Sequence, residues 1–516
     1  MSQQQPGSVS ATLVSEVRLV FALILSVFLL TSAGFDTSEG GFHYMIAHQI
    51  LTEGSLSFAE PRDGVFTVAP NGRTYASHEI GNTLFLLPVA GFNIVLEKVL
   101  ENHQDRRSIS YITGFFVSLM PAIYCAFTTV FLYTMLRLFF RGSITAALGA
   151  SLAFAFCTFV WTYSRNLFDG VLCMGLLSGA MLSMMLFRRT KDLRHFLLAA
   201  TLFGFGIITR VSMVLPLVAF GVYLTMTFWQ DRWRLIRLAW MGGVVLAPFV
   251  VWQTYYNHLR TGDWLLSPVQ TPQYAVNGLT GDLAVGIEGL LFSPGKSIFL
   301  YFPLALLSVV CFRRFMSLYR PEAAFVAVLS GLWLLLHAKL DSWFGAWGWG
   351  PRHFITIAPV LALPACVSWE WMKESLWRRR LLICTLAWGA VLATSSIIGN
   401  WHFRMGLAYA QGREDAMIWS LNRGQALDMI AGAASNLHNI VLHLPGPTIP
   451  GLSEINRQAS NSINVWINSA AYQGVPRILL AGVAFVLVAV AVYSFGALRQ
   501  LNFRNAVAEH RDGYVS

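Results

Sequence analysis

Apolar runs of about eighteen or more residues recur along the whole chain, separated by short basic connections and a few longer polar stretches. A helix needs about 20 apolar residues to cross a hydrocarbon core about 30 Å thick, so this pattern predicts an all-α polytopic membrane protein. Twelve crossings are expected, near residues 17–34, 109–136, 143–163, 166–187, 195–209, 211–228, 236–257, 297–312, 322–338, 353–371, 380–399 and 476–496. The first is read as a crossing rather than a signal peptide. Thr31 to Gly34 offers small residues for cleavage, but only Arg18 precedes the apolar run as a positive charge.

Lys and Arg in the short connections set the orientation. Arg137 and Arg141, then Arg188, Arg189, Lys191 and Arg194, then Arg232, Arg234 and Arg237 belong on the cytoplasmic side. Arg313 and Arg314, Lys373 with Arg378 to Arg380, and Arg499 with Arg504 continue the pattern at every second connection, so both termini face the cytoplasm. Counting residues 80–100 as a crossing would break this alternation. With Pro88, Gly91 and the Glu97/Lys98 end, that segment is expected to lie at the membrane surface, with a re-entrant hairpin as the alternative.

The expected organisation is a tail (1–16), a transmembrane catalytic module (17–399) with an outer loop at 35–108, an extracytoplasmic segment (400–475), and a last helix with its tail (476–516). Further outer pieces fall at 258–296 and 339–352. For residues 400–475, acceptor recognition is the one role suggested, since no motif there is interpretable.

Composition agrees with this layout: 516 residues are 55% hydrophobic and 12% charged, with a mean hydropathy of +0.55. A net charge of +10 is spread over short clusters between apolar runs, which excludes a nucleic-acid-binding stripe and suits topology instead. Cys125, Cys157, Cys173, Cys311, Cys366 and Cys384 all fall in apolar segments without disulfide or zinc spacing. The absence of an internal repeat removes support for an inverted-repeat transporter.

Ionisable residues cluster at the outer ends of these runs. In "GFDTSEGGFHYMIAHQI", Asp36, Glu39 and His43 share one face if the segment is helical, and Asp36, Ser38 or Glu39 would equally serve the start of a helix from about Phe42 to Thr52. In "NGRTYASHEIGN", Asn71-Gly72 predicts a tight turn, with Tyr75, His78 and Glu79 opening the next helix. His78 can meet a lipid phosphate or be an ordinary loop histidine.

Arg165 and Asp169 in "WTYSRNLFDG" are spaced to neutralise each other. Arg210 in "FGFGIITRVSMVLPLV" has no acid nearby, and an unpaired charge at membrane depth is costly. Lys296 in "LLFSPGKSIFLYFP" sits at a Pro-Gly break beside a helix start, an anion-site candidate whose spacing does not match a nucleotide loop. Finally, "LDSWFGAWGWGPRHFITIAP" alternates Trp343, Trp347 and Trp349 with glycines ahead of Arg352 and His353, which could offer flat faces to a sugar and a cation to a phosphate. Interfacial tryptophans equally need no such role.

In order and spacing these motifs resemble the C-type-fold (GT-C) membrane glycosyltransferases that use a polyprenyl-phosphate sugar, the group containing protein O-mannosyltransferases and the lipid A aminoarabinose transferase. The resemblance runs from about residue 17 to 400, through "HYMIAHQILTEGSL", "TYASHEIGNTLFLLPV", "YSRNLFDG", "GIITRVSMVLPL", "LFSPGKSIFLYFP" and "WGWGPRHFITIAP". Two departures stand out. Thr37 and Ser38 separate acids that are commonly adjacent in the family, and His78 stands where relatives often carry lysine.

The resemblance implies transfer of a glycosyl group from an outward-facing polyprenyl phosphate to the hydroxyl of a lipid, glycan or protein acceptor, with inversion and no covalent intermediate. Asp36 is then the first candidate for general base and Glu39 the second, while Arg165, Arg210, Lys296, Arg352 and His78 hold the departing phosphate. His43, Tyr75, Trp349 and His353 complete the expected binding set. Asp36, Glu39 and His43 also have the chemistry to bind Mg²⁺ or Mn²⁺, so a divalent metal is an open cofactor reading. The expected place is a bacterial inner membrane with the site facing the periplasm. The alternatives are a lipid-linked oligosaccharide flippase, and a polymerase or ligase acting on diphosphate carriers.

Overall fold

The computed structural model describes residues 6–34, 39–60, 62, 65–101, 106–140, 142–268, 278–346, 348–442, 463, 465–467 and 476–512. The chain enters on α1 (Pro6–Leu30), then forms α2 (Gly40–Glu53) and α3 (Gly81–Leu100), linked through an antiparallel hairpin of β1 (Phe66–Val68) and β2 (Thr74–Ala76). α4 (Arg106–Ser118) and α5 (Met120–Leu138) follow, their break lying just before Pro121. Next come α6 (Ile144–Phe156), the short α7 (Phe159–Tyr163), α8 (Asp169–Thr190), α9 (Leu193–Ile207), α10 (Leu215–Phe228) and α11 (Arg232–Thr261). The second half holds α12 (Leu283–Phe292), α13 (Ile298–Tyr301), α14 (Pro303–Leu318), α15 (Arg320–Ala338), α16 (Ala358–Val367), α17 (Trp369–Lys373) and α18 (Leu376–Ile398). α19 (Trp401–Ala410), α20 (Glu414–Trp419), α21 (Gln425–Val441) and α22 (Arg477–Asp512) complete it.

Among the described residues nine helical segments are long and apolar enough to cross a membrane, and four shorter apolar helices accompany them. The bundle is built for lipid rather than water. α8 is buried along almost its whole length between α5 and α9, whereas α11 and α22 turn large apolar side chains outward, Trp240 and Val251 among them. An outward apolar surface with polar groups inside is stable only in hydrocarbon. The protein is therefore an all-α polytopic membrane protein.

The basic connections gather at one end. Arg137 pairs with buried Glu16 at 2.8 Å, Arg188 pairs with Glu322, and Arg189 donates to the Leu138 carbonyl at 3.2 Å. Lys191 lies over Phe228, and Arg314 and Arg378 flank Trp371. α1, α5, α8, α9, α10, α14, α15 and α18 all present a terminus to this end, as the alternation of Lys and Arg predicts.

α3 is one of the nine apolar segments by length, yet it does not run to the basic end. Asn93 donates to the Thr113 carbonyl of α4 at 3.0 Å and Tyr44 of α2 donates to Glu97 at 3.3 Å, so its C-terminal half stays beside α2 and α4. α2 and α3 form a side-by-side pair, as expected for the first long loop. The turn at Asn71-Gly72 is present, with Gly72 at φ +76° and its N–H bonded to the Ala69 carbonyl. Tyr75 does not open a helix: it lies in β2, and α3 begins only at Gly81.

Candidate functional site

The end of the bundle opposite the basic connections holds a cavity of about 340 Å³. Glu39, His78, Glu79, Asp169, Arg210, Arg352 and His353 form its polar side, and Val211, Val214, Leu215, Leu336, Leu340 and Ile355 its apolar wall.

Glu39 immediately precedes α2, but its carboxylate does not cap that helix. One oxygen, Oε2, accepts the backbone N–H of Asp169 at 3.2 Å, an amide left open at the start of α8. The other, Oε1, faces His78 Nε2 at 3.8 Å and Arg352 Nη1 at 4.0 Å. The cap reading of Glu39 at α2 therefore does not hold: its carboxylate reaches across to the start of α8 instead. Asp36 lies outside the described residues.

Asp169 takes its partners from elsewhere than the sequence suggests. Its Oδ1 lies 2.9 Å from His43 Nε2 and accepts from Asn82 Nδ2 at 3.1 Å. The expected mutual neutralisation with Arg165 gives way to this trio, because α8 begins at Asp169 and turns the carboxylate toward α2 and α3. Arg165 is buried away from the cavity lining, and desolvation lowers its pKa to about 9. Burial, with the Arg165 charge second, lowers His402 on α19 to about 4.

Two arginines supply the cationic side. Arg210 follows α9 in extended backbone, and its Nη2 contacts His353 Nδ1 at 3.1 Å. His353 Nε2 meets the Ser342 carbonyl at 3.1 Å. A carbonyl only accepts and a guanidinium only donates, so the ring is a neutral imidazole carrying its hydrogen on Nε2. Burial pushes the Arg210 pKa down from its ordinary value. Gly170 leaves room for this guanidinium, as a Cβ there would stand 3.3 Å from Arg210 Nη1.

Arg352 is shaped by the glycines before it. A Cβ on Gly348 would lie 2.4 Å from Arg352 Cδ, and one on Gly345 2.8 Å from Cγ. The guanidinium then rests over the Phe168 ring at 5.4 Å, a cation–π contact that leaves its edge toward Glu39.

Several expected binding residues lie elsewhere. Trp349 is buried, with its ring edge-on to Tyr301 and its carbonyl accepting from Tyr163 at 2.7 Å, so it packs the core and offers no open face to a sugar. Trp343 is likewise buried, and Trp347 lies outside the described residues. Tyr75 packs in a second apolar cluster with Phe42, Ile46 and Tyr256, its hydroxyl held by Asn71. Lys296 is buried behind the glycine loop, donating to the Gly348 carbonyl at 2.7 Å; burial and then the Arg352 charge bring its pKa down to about 7. His43 sits beneath the cavity rather than in its wall.

His43 also bears on the metal reading. Its Nδ1 shares a hydrogen bond with Thr83 and its Nε2 lies against Asp169, so neither nitrogen is offered to an ion beside Glu39. Among the described residues no three His, Cys, Asp or Glu side chains are grouped to hold a metal.

Sequence reading missed the group that sets His78 and Glu79. Arg260, at the end of α11, is fully buried and donates from Nη1 to the carbonyls of Ala76, Ser77 and His78 at 3.2, 3.1 and 2.8 Å. Its Nη2 is 3.7 Å from Glu79, whose Oε1 also accepts from Ser267 at 2.9 Å. In the sequence Arg260 looks like any basic residue at a helix C-terminus.

Fold and site together define a polytopic membrane protein with a cavity at one end of its bundle that brings the Glu39 carboxylate beside Arg210 and Arg352. Residues 108–255, which carry Arg165, Asp169 and Arg210, match the family profile described as dolichyl-phosphate-mannose-protein mannosyltransferase. None of the curated proteins matches the chain. Among solved structures, it is similar to ArnT from Cupriavidus metallidurans bound to undecaprenyl phosphate, at 14% identity and a TM-score of 0.46, covering 84% of this chain and 75% of that one. It is also similar to the oligosaccharyltransferase AglB from Archaeoglobus fulgidus in complex with an inhibitory peptide and a dolichol-phosphate, at 12% identity and a TM-score of 0.42, covering 91% of this chain but 58% of that one.

Proposed function

We propose that this protein is a glycosyltransferase that moves a sugar from a polyprenyl-phosphate carrier to an acceptor hydroxyl at the extracytoplasmic face of the membrane. The observation that carries the reading is the juxtaposition, in one cavity with an apolar wall, of the Glu39 carboxylate with Arg210 and Arg352. An amphiphilic phosphate ester suits such a cavity: cations take the phosphate and the apolar wall takes the first carbons of the lipid. The match of residues 108–255 to a family that uses dolichyl-phosphate mannose supports the same chemistry.

The acceptor oxygen attacks the anomeric carbon as the bond from that carbon to the phosphate oxygen breaks. The bonding electron pair leaves with the phosphate, and the acceptor proton passes to a carboxylate. In this reading Glu39 takes that proton, with Asp36 as the other candidate base. Arg210 and Arg352 stabilise the charge that develops on the phosphate, in a setting where desolvated donors act strongly. His78 adds a contact that strengthens when its ring is protonated. Direct attack from the face opposite the phosphate gives inversion.

The basic ends of the helices lie at the opposite end of the bundle, which supports an outward-facing site. We assign α2 and α3 to the outer membrane surface beside the cavity. Purified protein with a radiolabelled polyprenyl-monophosphate sugar tests the whole reading. Release of sugar to an acceptor supports it. Translocation without release selects a flippase, and use of diphosphate carriers alone selects a polymerase or ligase.

A further inference from the structure

The helices after α18 carry no motif that sequence reading interprets, yet one of their side chains braces the wall of the candidate site. Gln425, the first residue of α21, is buried with 1% exposure. Its Oε1 accepts the N–H of Gly350 at 2.8 Å and its Nε2 donates to the carbonyl of Gly348 at 3.1 Å. The N–H can only donate and the carbonyl can only accept, so the two contacts determine which way the amide faces. The same Gly348 carbonyl receives Lys296 Nζ from the other side.

The loop it grips is strained. Gly345, Ala346 and Gly350 have φ of +73°, +40° and +56°, and for a residue with a Cβ such as Ala346 this is a strained backbone conformation. A conformation of that kind persists only where its surroundings over-determine it. This conformation is also the one that lets the Arg352 side chain fold back over Gly345 and Gly348, and the Arg352 N–H closes it by bonding the Gly350 carbonyl at 3.1 Å.

Gln425 is itself firmly held. Arg404 of α19 makes two bonds to Asp428, one turn along α21, at 2.8 and 3.1 Å, and α21 packs along α18. The N–H of Gly295 bonds the Ile418 carbonyl at 3.0 Å, which fastens α20 to the turn that carries Lys296. Gln425 does not line the cavity, so it acts through the loop rather than on substrate.

We propose that Gln425 is a positioning residue that locks the glycine loop around Gly348 and Gly350 in the form presenting Arg352 to the phosphate of the lipid-linked donor. The proposal rests on the reading of Arg352 given above. It moves the segment after α18 from a remote appendage to a part of the donor site.

The test compares full-length wild type, Gln425→Ala, Gln425→Glu and Arg352→Ala in detergent, reading kcat and KM for a polyprenyl-monophosphate sugar and Kd for polyprenyl monophosphate alone. Gln425→Ala is expected to raise KM and Kd about tenfold at matched amounts of folded protein, the size of one or two lost hydrogen bonds. Gln425→Glu has equal volume, but its ionised form sets an oxygen against the Gly348 carbonyl. Protonation restores a donor there, so its kcat/KM should recover relative to wild type between about pH 8 and about pH 5.5, a profile that a merely structural role would not produce.

Wild-type values for Gln425→Ala, or a wild-type pH profile for Gln425→Glu, overturn the proposal. Should Gln425→Ala not fold, the Glu variant decides through its pH profile. Loss of binding in Arg352→Ala alongside unchanged Gln425 variants sinks this proposal alone. Wild-type protein that does not bind polyprenyl monophosphate, or whose binding survives Arg352→Ala, removes the reading of the site and this proposal with it.

Discussion

The Glu39 carboxylate stands 4.0 Å from the Arg352 guanidinium while its second oxygen is already committed to the backbone N–H of Asp169. That separation is longer than a tight ion pair, which leaves Oε1 oriented and still able to take a proton from an entering hydroxyl. Gln at this position keeps the shape and the bond to Asp169 while removing the base. We expect Glu39→Gln to lower kcat about 10²- to 10⁴-fold, with Kd for polyprenyl monophosphate nearly unchanged. A loss confined to Kd would contradict the assignment.

Arg210 and Arg352 offer planar, fixed donors that a lysine ammonium does not reproduce. Replacing either by Lys keeps the charge and loses the fork. Binding of polyprenyl monophosphate should weaken about 10- to 100-fold in each, the range of one or two charge-assisted hydrogen bonds, as titration of the purified variants would report.

Gly348→Ala probes the loop without touching any charge. The new methyl would stand 2.4 Å from Arg352 Cδ, so the side chain or the loop must move. The expected result is a loss of transfer comparable to Arg352→Lys in a protein whose helical circular dichroism is that of wild type. Wild-type kinetics would show that Arg352 need not fold back over the glycines.

Stability at the other end of the bundle should be separable from chemistry. Glu16 is buried and holds both Arg137 at 2.8 Å and Tyr133 at 2.8 Å. Glu16→Ala leaves Arg137 without its partner, a change that costs about 3–5 kcal/mol when such a pair is buried. Thermal unfolding in detergent should report a lower midpoint, while kcat per folded molecule stays that of wild type.

Lys296 links pH to stability. Its pKa falls from the ordinary lysine value of 10.5 to about 7 in the fold, chiefly through burial, so between those two values the unfolded chain binds a proton that the folded chain does not. Stability therefore rises with pH across that window. The unfolding midpoint of wild type should climb from pH 7 to about pH 9 relative to that of Lys296→Met, and parallel curves would count against the buried placement.

Much of this protein is written locally. Runs of apolar residues, the spacing of basic connections and the Asn71-Gly72 turn act over a few to about 20 residues; the turn is present, while of the twelve expected crossings those at 143–163 and 353–371 are each broken into two shorter helices. The site is only half legible by the same means. Glu39, His78, Arg210, Arg352 and His353 meet in one cavity, as their common place at the outer ends of helices suggests. Trp349, Tyr75 and Lys296 carry equally suggestive chemistry and instead pack behind it. Nothing in a short window separates a tryptophan that faces a ligand from one that fills the core.

The sequence by itself determined that the chain is a helical membrane protein and that its basic residues collect in short connections between apolar runs, because a bilayer imposes these demands on each stretch separately. Only the tertiary structure decided that Asp169 answers His43 and Asn82 instead of Arg165, that Arg260 sets the His78 segment, and that Gln425 grips the Arg352 loop. Those choices depend on which backbones approach within hydrogen-bond distance once all the helices are packed, a property of the whole assembly that no single segment encodes.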